Sequence, residues 1–495
     1  PDARRATIRA SAGVAASLTA DGIAEAEPLA RPVAVRPDQV AYVLFTSGST
    51  GEPKGVEVSH GAAMATIGDL VERFAIGEDD ITLGVSALDF DLSVFDLFAP
   101  WSAGGAVVLP DEDERRDAAR WAELVRRWSV SVLNCVPSVL EMLLHAGRPE
   151  SLRLVLLGGD WVGTHLPALL EERAPGCRFA ALGGTTETAI HSTVQEVAGE
   201  VPSDWRAVPY GVPLRGVACR VVDELGRDRP DWVAGELWIG GAGVADGYVG
   251  DPERTADRFV VHEGMRWYRT GDLARYRPDG TLEFLGRRDH QVKVRGFRIE
   301  LGEVEAALQD HPSVDRAVAL LAGGRLAAAV VASGDPDEVL AHARGLLPPH
   351  MVPELLVPVD ELPLTANGKV DRKALTALAA AEKGEAAYAE PATSLERVLA
   401  RIVAEVLGRE RVGADADFFA LGGDSVLATT VIARLREALD TTALPVRVLF
   451  AERTVARVCR RFTELEEAPG RLEAVAAIWL EVEAMTEEEL TARLG

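Results

Sequence analysis

An apolar run of strand-like composition leads directly into a loop rich in glycine, serine and threonine. VAYVLF at 40–45 is followed by TSGSTGEPKG at 46–55, and Ser59 then precedes a helical pattern. Glycines let such a loop fold tightly, while backbone amides, hydroxyls and one lysine can surround phosphate oxygens. Because no Ser or Thr follows the lysine, this is not a Walker A loop. The residues predicted to bind phosphate are Thr46, Ser47, Gly48, Ser49, Thr50, Gly51 and Lys54.

Apolar periodicity predicts two kinds of architecture along the chain. Up to about residue 285, short apolar runs such as 130–136 and 152–159 alternate with helical patterns, which favours an α/β body. A shorter α/β stretch follows, and then a segment rich in Ala, Glu and Gly that is typical of linkers. From Ser394 onward the apolar residues recur at helical spacing, which predicts a small helical bundle.

The charge balance argues against two classes of partner. The chain has 52 basic and 77 acidic residues and a formal net charge of -25, which repels nucleic acid and anionic membrane surfaces. The sequence also has no apolar segment long enough to span a bilayer.

The four cysteines lie far apart and show no ligand spacing. We therefore expect neither a zinc site nor disulfides, and we expect a cytoplasmic location. The absence of an initiator Met predicts that residue 1 is an internal point of a longer polypeptide.

Seven further segments follow the phosphate loop in a fixed order. They are FDLSVFD (90–96), GGTTET (183–188), GELWIGGAGVADGY (235–248), YRTGDLARY (268–276), GRRDHQVKVRGFRIELGEVE (286–305), LPLTANGKVDR (362–372) and LGGDS (421–425). Together with the loop, this series resembles the adenylation domain of a nonribosomal peptide synthetase, in the adenylate-forming superfamily, followed by a peptidyl carrier domain. The resemblance is to cysteine- or serine-activating modules of the heterocyclising type. It implies an ATP-dependent ligase that forms a carrier-bound thioester in secondary-metabolite biosynthesis.

The resemblance implies a domain organisation. The predicted parts are residues 1–288 for the large α/β body, 289–376 for the small α+β subdomain, 377–393 for a linker, 394–466 for an all-α four-helix carrier bundle and 467–495 for a helical tail. Only about 45 residues precede the phosphate loop, fewer than the family normally has. The large body is therefore expected to be N-terminally incomplete. The role of the tail cannot be read from the sequence.

Roles in ATP binding follow from the resemblance and have physical counterparts. Thr186 is expected to hold the α-phosphate, and Glu187 offers the hard oxygen ligand that Mg²⁺ requires. Asp272 can accept hydrogen bonds from the ribose hydroxyls, as acidic residues do in other nucleotide sites. Arg287 matches a further nucleotide contact of the family.

Four positions in the C-terminal part are implied to act in catalysis and loading. Lys369 matches the family's mobile catalytic lysine, which neutralises charge as pyrophosphate leaves. Asp289 matches the hinge about which the small subdomain rotates, and Lys293 lies on the strand turned inward for thioester formation. Ser425 at the start of a helix resembles the attachment point of 4′-phosphopantetheine. Taken alone, a lysine such as Lys369 would read as an ordinary surface residue and Ser425 as a helix cap.

The amino-acid pocket is also placed by the resemblance. Its positions are Asp91, Leu92, Phe95, Asn134, Leu156, Gly158, Leu182, Ile190 and His191, with Lys369 closing the set. Asp91 matches the anchor for an α-ammonium group. The lining is close to cysteine-selecting pockets, so cysteine is the first prediction. Gly158 and His191 depart from that pattern, which leaves serine, threonine or an α-methylated analogue open.

One departure from the family and two alternative functions remain open at this stage. The aromatic residue that normally stacks on adenine is replaced by Gly183, so adenine packing must come from elsewhere.

Two alternative functions remain open. One is a free-standing ligase that acylates coenzyme A, and the other is a degenerate adenylation scaffold without catalysis. The expected partners are a phosphopantetheinyl transferase and neighbouring cyclisation or condensation domains, and a small MbtH-like helper protein is left open.

Overall fold

The computed structural model describes most of the chain as two compact units. The described residues are 2–12, 31, 33–46, 53–111, 114–115, 117–287, 291–294, 297–322, 325–363, 370–381, 388–419, 421, 423, 425–441, 443–466, 468–483 and 485. The first unit contains residues 1–109, 128–137 and 151–379. The second contains residues 110–127, 138–150 and 380–495.

Strands dominate the first unit. In chain order they are β1 (Val40–Thr46), β2 (Lys54–Ser59), β3 (Ile81–Leu83), β4 (Ala106–Val108), β5 (Val132–Cys135), β6 (Leu154–Leu157), β7 (Arg178–Gly183), β8 (Thr193–Val197), β9 (Val212–Pro213), β10 (Val217–Val222), β11 (Gly235–Gly241), β12 (Gly247–Tyr248), β13 (Phe259–His262), β14 (Met265–Tyr276), β15 (Leu282–Arg287), β16 (Gln291–Val294), β17 (Phe297–Glu300), β18 (Val314–Ala322), β19 (Arg325–Ala332) and β20 (Leu355–Pro358).

Helices occur in both units. In chain order they are α1 (Asp2–Ser11), α2 (His60–Arg73), α3 (Leu92–Ser102), α4 (Ala118–Trp128), α5 (Pro137–Ala146), α6 (Leu166–Arg173), α7 (Pro252–Arg258), α8 (Leu301–Gln309), α9 (Pro336–Leu346), α10 (Arg372–Ala381), α11 (Ser394–Val406), α12 (Ser425–Ala438), α13 (Arg447–Glu452), α14 (Val455–Glu464) and α15 (Arg471–Glu483). Within the described ranges, no helix is long and apolar enough to cross a membrane.

A seven-stranded sheet forms the centre of the first unit. Its strand order is β4-β3-β5-β6-β7-β8-β9, and the pairs from β4 through β7 are parallel while β8 and β9 run antiparallel. Every residue of β5 and β6 is buried, as expected for parallel strands covered on both faces. Because the carboxyl ends of parallel strands meet at one edge, the segments that follow β5, β6 and β7 come together there. This edge is where open α/β sheets bind their ligands.

The phosphate loop joins two strands rather than a strand and a helix. β1 and β2 pair antiparallel with Thr46 opposite Lys54, and β12 extends the same sheet. Residues 54–59, KGVEVS, form β2, a strand that was not assigned from the sequence and that is stabilised by pairing with β1. Ser59 does cap α2 as predicted, since its Oγ accepts a hydrogen bond of 3.2 Å from the Ala62 amide.

Three more sheets occur among the described residues of the first unit. A five-stranded antiparallel sheet has the order β10-β11-β14-β13, and β15 pairs with β14. The small subdomain has the β16–β17 hairpin and a sheet of β18, β19 and β20. Helices α8 and α9 pack their apolar residues against this last sheet, with Val304, Leu308 and Val339 fully buried. The predicted α/β class with a small α+β subdomain is therefore confirmed.

The second unit contains the predicted helical bundle. Helices α11 to α14 enclose an apolar core that includes Val398, Ile402, Val431 and Phe462. Helix α15, which lies beyond the predicted end of the carrier bundle at residue 466, adds further apolar residues to the same core. Its Glu473 accepts hydrogen bonds of 2.6 and 3.0 Å from the backbone amides of the first two residues of α11. The tail helix is thus packed on the bundle rather than separate from it.

Candidate active site

The two described ends of the phosphate loop lie next to each other. Thr46 ends β1, Lys54 begins β2, and the two residues are paired across the hairpin. Thr46 Oγ1 is buried and has no hydrogen-bond partner among the described residues, which fits a hydroxyl that serves a ligand. The predicted loop residues between these two, Ser47, Gly48, Ser49, Thr50 and Gly51, lie outside the described residues.

Lys54, Glu187 and Tyr248 form a buried cluster, called here the phosphate-side cluster. Lys54 Nζ donates to Glu187 Oε1 at 3.0 Å, and the Tyr248 hydroxyl donates to the same oxygen at 3.0 Å. Lys54 Nζ also lies 4.8 Å from the centroid of the Tyr248 ring. The side chains of Lys54 and Glu187 are 8% and 0% exposed, so each charge depends on the other. Tyr248 was not predicted as a site residue, although it ends one of the quoted motifs.

Glu187 lies in a short 3-10 turn that positions a second predicted residue. The turn Thr186–Thr188 follows β7 and is fixed by a reciprocal capping box with Thr185. Thr186 Oγ1 donates to Asp91 Oδ2 at 2.8 Å, and Asp91 directly precedes α3. The residue predicted to hold the α-phosphate therefore contacts the residue predicted to bind the α-ammonium group. In an amino acid the ammonium group and the carboxylate are attached to the same carbon, so a carboxylate that attacks the α-phosphorus requires these two predicted sites to be close together.

Asp272 and Arg287 are joined by an ion pair across two strands. Asp272 on β14 lies opposite Arg287 on β15, and Arg287 Nη1 donates to Asp272 Oδ1 at 2.6 Å. Arg287 Nη2 also donates to the Thr270 carbonyl at 3.1 Å. Both charged side chains are almost completely buried. The arginine thus orients the carboxylate that we expect to meet the ribose.

A second buried group, the pocket network, consists of Asp96, Asn134 and His191. Asn134 Nδ2 donates to Asp96 Oδ1 at 2.9 Å and to the Leu92 carbonyl at 3.3 Å. His191 Nε2 lies 3.2 Å from Asn134 Oδ1. Because both amide hydrogens of Asn134 go to acceptors, its oxygen must accept from His191, which places the imidazole hydrogen on Nε2. Asp96 was not predicted as a site residue, since its role depends on the packing of α3 against β5.

Burial keeps the imidazole of this network uncharged. It lowers the pKa of His191 to about 3, so the ring is neutral near pH 7 and its Nδ1 is a hydrogen-bond acceptor. Burial also raises the pKa of Asp96 to about 7, although hydrogen bonds from Asn134 and Ser86 act in the opposite direction. His191, one of the residues predicted to line the pocket, therefore carries a neutral hydrogen-bond acceptor at Nδ1.

Gly158 and His191 fit each other sterically. A Cβ placed on Gly158 would lie 2.6 Å from His191 Cε1 and 3.2 Å from His191 Nδ1. The two departures from the cysteine-selecting pattern are therefore coupled, because the imidazole takes the space that a side chain at residue 158 would need. The ring edge that carries Nδ1 faces Gly158.

The apolar pocket positions are all buried, as a substrate pocket requires. They are Leu92, Phe95, Leu156, Leu182 and Ile190. Ala189 and Ile190 have positive φ angles of 54° and 77°, which is unusual for a residue with a β-branched side chain. Such strain is found where surrounding structure fixes a functional turn, and here the turn leads directly to His191.

Four predicted residues are only partly covered or not covered by the structure. Asp289 and Lys369 lie outside the described residues. For Lys293 only the backbone is described, within β16, and the backbone of Ser425 begins α12. Their catalytic and attachment roles stay predictions.

The donors present suit a magnesium ion shared with a substrate. Proteins usually hold Mg²⁺ through one or two carboxylates together with substrate phosphates, where it neutralises phosphate charge. Glu187 offers one such buried carboxylate beside the phosphate loop. In the part of the chain that the structure describes, no group of three or more His, Cys, Asp and Glu residues could hold a metal ion by itself. This donor set fits an ion held jointly by Glu187 and ATP.

Three protein families match successive segments that together include most of the chain. The AMP-binding enzyme family matches residues 3–249, and the AMP-binding enzyme C-terminal domain matches residues 303–369. The phosphopantetheine attachment site family matches residues 397–462, which include Ser425. The chain belongs to the nonribosomal peptide synthetase family, as an adenylation–carrier module.

Curated relatives of the module include proteins named as a synthase and a synthetase. It is 51% identical over 480 residues to phenyloxazoline synthase MbtB of Mycobacterium sp. (strain MCS), a match that covers 94% of this chain and 41% of the relative. It is 53% identical over 345 residues to pyochelin synthetase PchE of Pseudomonas aeruginosa, covering 66% of this chain and 24% of the relative. The module thus spans about two fifths or less of the length of these relatives.

Solved structures show the same fold. Holo-PA1221, a synthetase protein with adenylation and carrier domains bound to a vinylsulfonamide inhibitor, matches with a TM-score of 0.75 and 28% identity over 95% of this chain and 83% of that one. The adenylation domain AlmE of Vibrio cholerae, in complex with glycyl-adenosine-5'-phosphate, matches with a TM-score of 0.63 and 29% identity over 70% and 68% of the two chains. The fold of the module is therefore that of the adenylate-forming enzymes.

Proposed function

We propose that the module joins a small α-amino acid to AMP and then loads it onto the phosphopantetheine arm of Ser425. The observation that carries this proposal is the 2.8 Å contact between Thr186 and Asp91. It brings the predicted α-phosphate and α-ammonium sites together. A substrate carboxylate between them can attack the α-phosphorus, and pyrophosphate leaves. The arm's thiol then attacks the acyl carbon, forming a thioester and releasing AMP.

Each charged residue of the site has a proposed part in the first step. Lys54 neutralises phosphate charge, and Glu187 holds Mg²⁺ together with the phosphates. Asp272, oriented by Arg287, accepts hydrogen bonds from the ribose hydroxyls. Lys369, on a segment outside the described residues, is proposed to reach the reacting carboxylate and phosphate. In the second step the hinge at Asp289 and the strand carrying Lys293 are proposed to exchange one catalytic face for the other.

The pocket supports a substrate whose side chain can donate a hydrogen bond. The sequence pattern favours cysteine, whereas the neutral acceptor His191 Nδ1 favours a hydroxyl, because a thiol is a weak donor. The name phenyloxazoline synthase points the same way for the relative, since cyclisation of an acylated β-hydroxy amino acid supplies both heteroatoms of an oxazoline. We therefore propose serine, threonine or an α-methylated serine beside cysteine, in a heterocyclising pathway.

ATP–pyrophosphate exchange tests the first half-reaction. The full chain is assayed with every proteinogenic amino acid, α-methylserine and α-methylcysteine, with and without an MbtH-like helper protein. The expected result is strong exchange with one β-hydroxy or β-thiol amino acid and at least about a hundredfold less with alanine, which lacks the donor. Absence of exchange with every amino acid, with and without the helper, would contradict the proposal and favour a scaffold without catalysis.

Covalent capture tests the second half-reaction. After treatment with a phosphopantetheinyl transferase and coenzyme A, the wild-type chain should retain the radiolabelled amino acid through precipitation and release it with hydroxylamine. Ser425→Ala should retain none, while the matched control Ser394→Ala should retain as much as the wild type. Acyl transfer to free coenzyme A with no label on the chain would instead indicate the free-standing ligase.

A further inference from the structure

Tyr210 fills the space that a side chain at residue 183 would need. A Cβ on Gly183 would lie 2.7 Å from both Cγ and Cδ2 of Tyr210, and 2.5 Å from Thr193 Oγ1. Gly183 is not among the glycines with positive φ, so its backbone does not by itself require glycine. The glycine is thus explained by the ring packed against it. Gly183 is also the position where the resembled family carries its adenine-stacking aromatic residue.

Tyr210 belongs to a cluster of three aromatic side chains. Its ring stacks on Phe284 with a centroid distance of 5.0 Å and an interplanar angle of 6°. The ring centroid of Trp161 lies 4.9 Å from that of Phe284, and Trp161 is 48% exposed. All three rings line one cleft, together with Asp160 and Leu182. The cleft therefore offers aromatic surface to a planar ligand.

The cleft is built partly on strands that also carry or lead to residues of the proposed nucleotide site. Phe284 is on β15, the strand that also carries Arg287, whose guanidinium holds Asp272. Leu182 lines the same cleft and is near the end of β7, which leads into the turn containing Thr186. The cleft therefore shares β15 with the proposed ribose side and β7 with the segment that leads to the proposed phosphate contact.

We propose that Tyr210, together with Phe284 and Trp161, binds the adenine ring of ATP, and that Tyr210 replaces the aromatic side chain absent at residue 183. Aromatic side chains stack on nucleobases because both present flat polarisable faces. In this chain the segment that contains Tyr210 supplies the aromatic ring beside the cleft, in place of a side chain at residue 183. The proposal holds for whichever amino acid the module activates.

Calorimetric binding of AMP and of ribose 5-phosphate to the full chain tests this proposal. Tyr210→Leu removes the aromatic face, and Tyr210→Phe is the matched control that keeps the ring. We expect Tyr210→Leu to raise the Kd of AMP roughly tenfold and to leave the Kd of ribose 5-phosphate unchanged, because only AMP carries a base. Tyr210→Phe should bind both ligands as the wild type does. In the exchange assay, the KM for ATP should rise without a change in the KM for the amino acid.

Two results would overturn the assignment. One is an unchanged Kd of AMP in Tyr210→Leu, which would mean that the base does not contact this ring. The other is an equal loss of affinity for AMP and for ribose 5-phosphate, which would mean that the substitution distorts the site as a whole. Because both ligands are measured without an amino acid, failure of the proposed amino-acid activation would not affect either result.

Discussion

The two halves of the site hold their polar groups in different ways. On the nucleotide side, Lys54 pairs with Glu187 and Arg287 with Asp272, so buried charges are compensated by opposite charges. In the pocket network, His191 is neutral and is held by hydrogen bonds through Asn134. Charged pairs suit a ligand with several charges, whereas a neutral network can distinguish uncharged side chains. Substitutions on the nucleotide side should therefore impair the reaction of every amino acid alike, whereas substitutions in the pocket network should change amino-acid kinetics without changing the KM for ATP.

The largest effect is expected for Glu187→Gln. The substitution removes the proposed Mg²⁺ ligand and leaves Lys54 facing a neutral amide, so exchange should fall about 10²- to 10³-fold for every amino acid alike. Initial rates at saturating substrates provide the measurement. Glu196→Gln, which breaks only an exposed pair with Arg178, is the control and should keep full activity. A loss confined to one amino acid would place Glu187 in the pocket instead.

The pH dependence of stability should separate the two titrating members of the pocket network. His191 has a lowered pKa in the folded state, so it adds stability as pH rises from about 3 to 6.5. Asp96 has a raised pKa, so its contribution is lost as pH rises from 3.8 to about 7. The two trends oppose each other in the wild type.

Single substitutions should uncover each trend. Relative to the wild type, His191→Gln should lose stability as pH rises from 4 to 6.5, and Asp96→Asn should gain it, each by about 3 kcal/mol over the range. Urea unfolding followed between pH 4 and 7.5 provides the comparison. Curves for both variants that run parallel to the wild-type curve would show that neither group is buried in its neutral form.

Gly158→Ala should damage the pocket and spare the nucleotide side. The new Cβ would meet His191 at 2.6 Å, an overpacking that costs about 2 kcal/mol. We expect kcat/KM for the amino acid to fall about 30-fold with an unchanged KM for ATP, as measured by exchange. Gly68→Ala on α2 is the control, because nothing lies within 4 Å of its new Cβ. A rise in the KM for ATP in Gly158→Ala would show that the pocket and the nucleotide side are not independent of each other.

The smallest effect is expected for Tyr248→Phe. It removes the hydrogen bond to Glu187 but keeps the ring beneath Lys54, so the loss should be about 1 kcal/mol, seen as a roughly fivefold higher KM for ATP. The KM for the amino acid should not change. An unchanged KM for ATP would show that Lys54 alone is sufficient to position the carboxylate.

The functional residues that could be predicted from the sequence are those that belong to a short recognisable motif. Glu187, Asp272 and Asp91 could be named because each belongs to a short ordered segment, and the structure brings Asp91 and Glu187's neighbour Thr186 together. Tyr248 could not be assigned, since its contact with Glu187 depends on β12 pairing with β2. Asp96 lies in a recognised motif, but its function depends on an amide 38 residues away. Long-range pairing, not residue type, was the missing information.

Strand β2 after the phosphate loop shows the same limit at short range. The segment KGVEVS is only six residues long and lies between a glycine-rich loop and a helix cap, so no strand was assigned to it from the sequence. Its strand conformation is stabilised by the hairpin partner β1 and by β12. The fold class needed no such detail, because the alternation of apolar runs with helical patterns was sufficient.

The seating of α15 on the carrier bundle has a practical consequence for recombining synthetases. Glu473 satisfies amides at the start of α11, and Arg401 on that helix pairs with Glu483 at 2.9 Å near the other end of α15. A fragment cut at residue 466 for transplantation into another assembly line would leave both groups without these partners and uncover apolar core. A fragment intended for exchange should therefore extend at least to residue 483, so that helices α11 to α15 stay together.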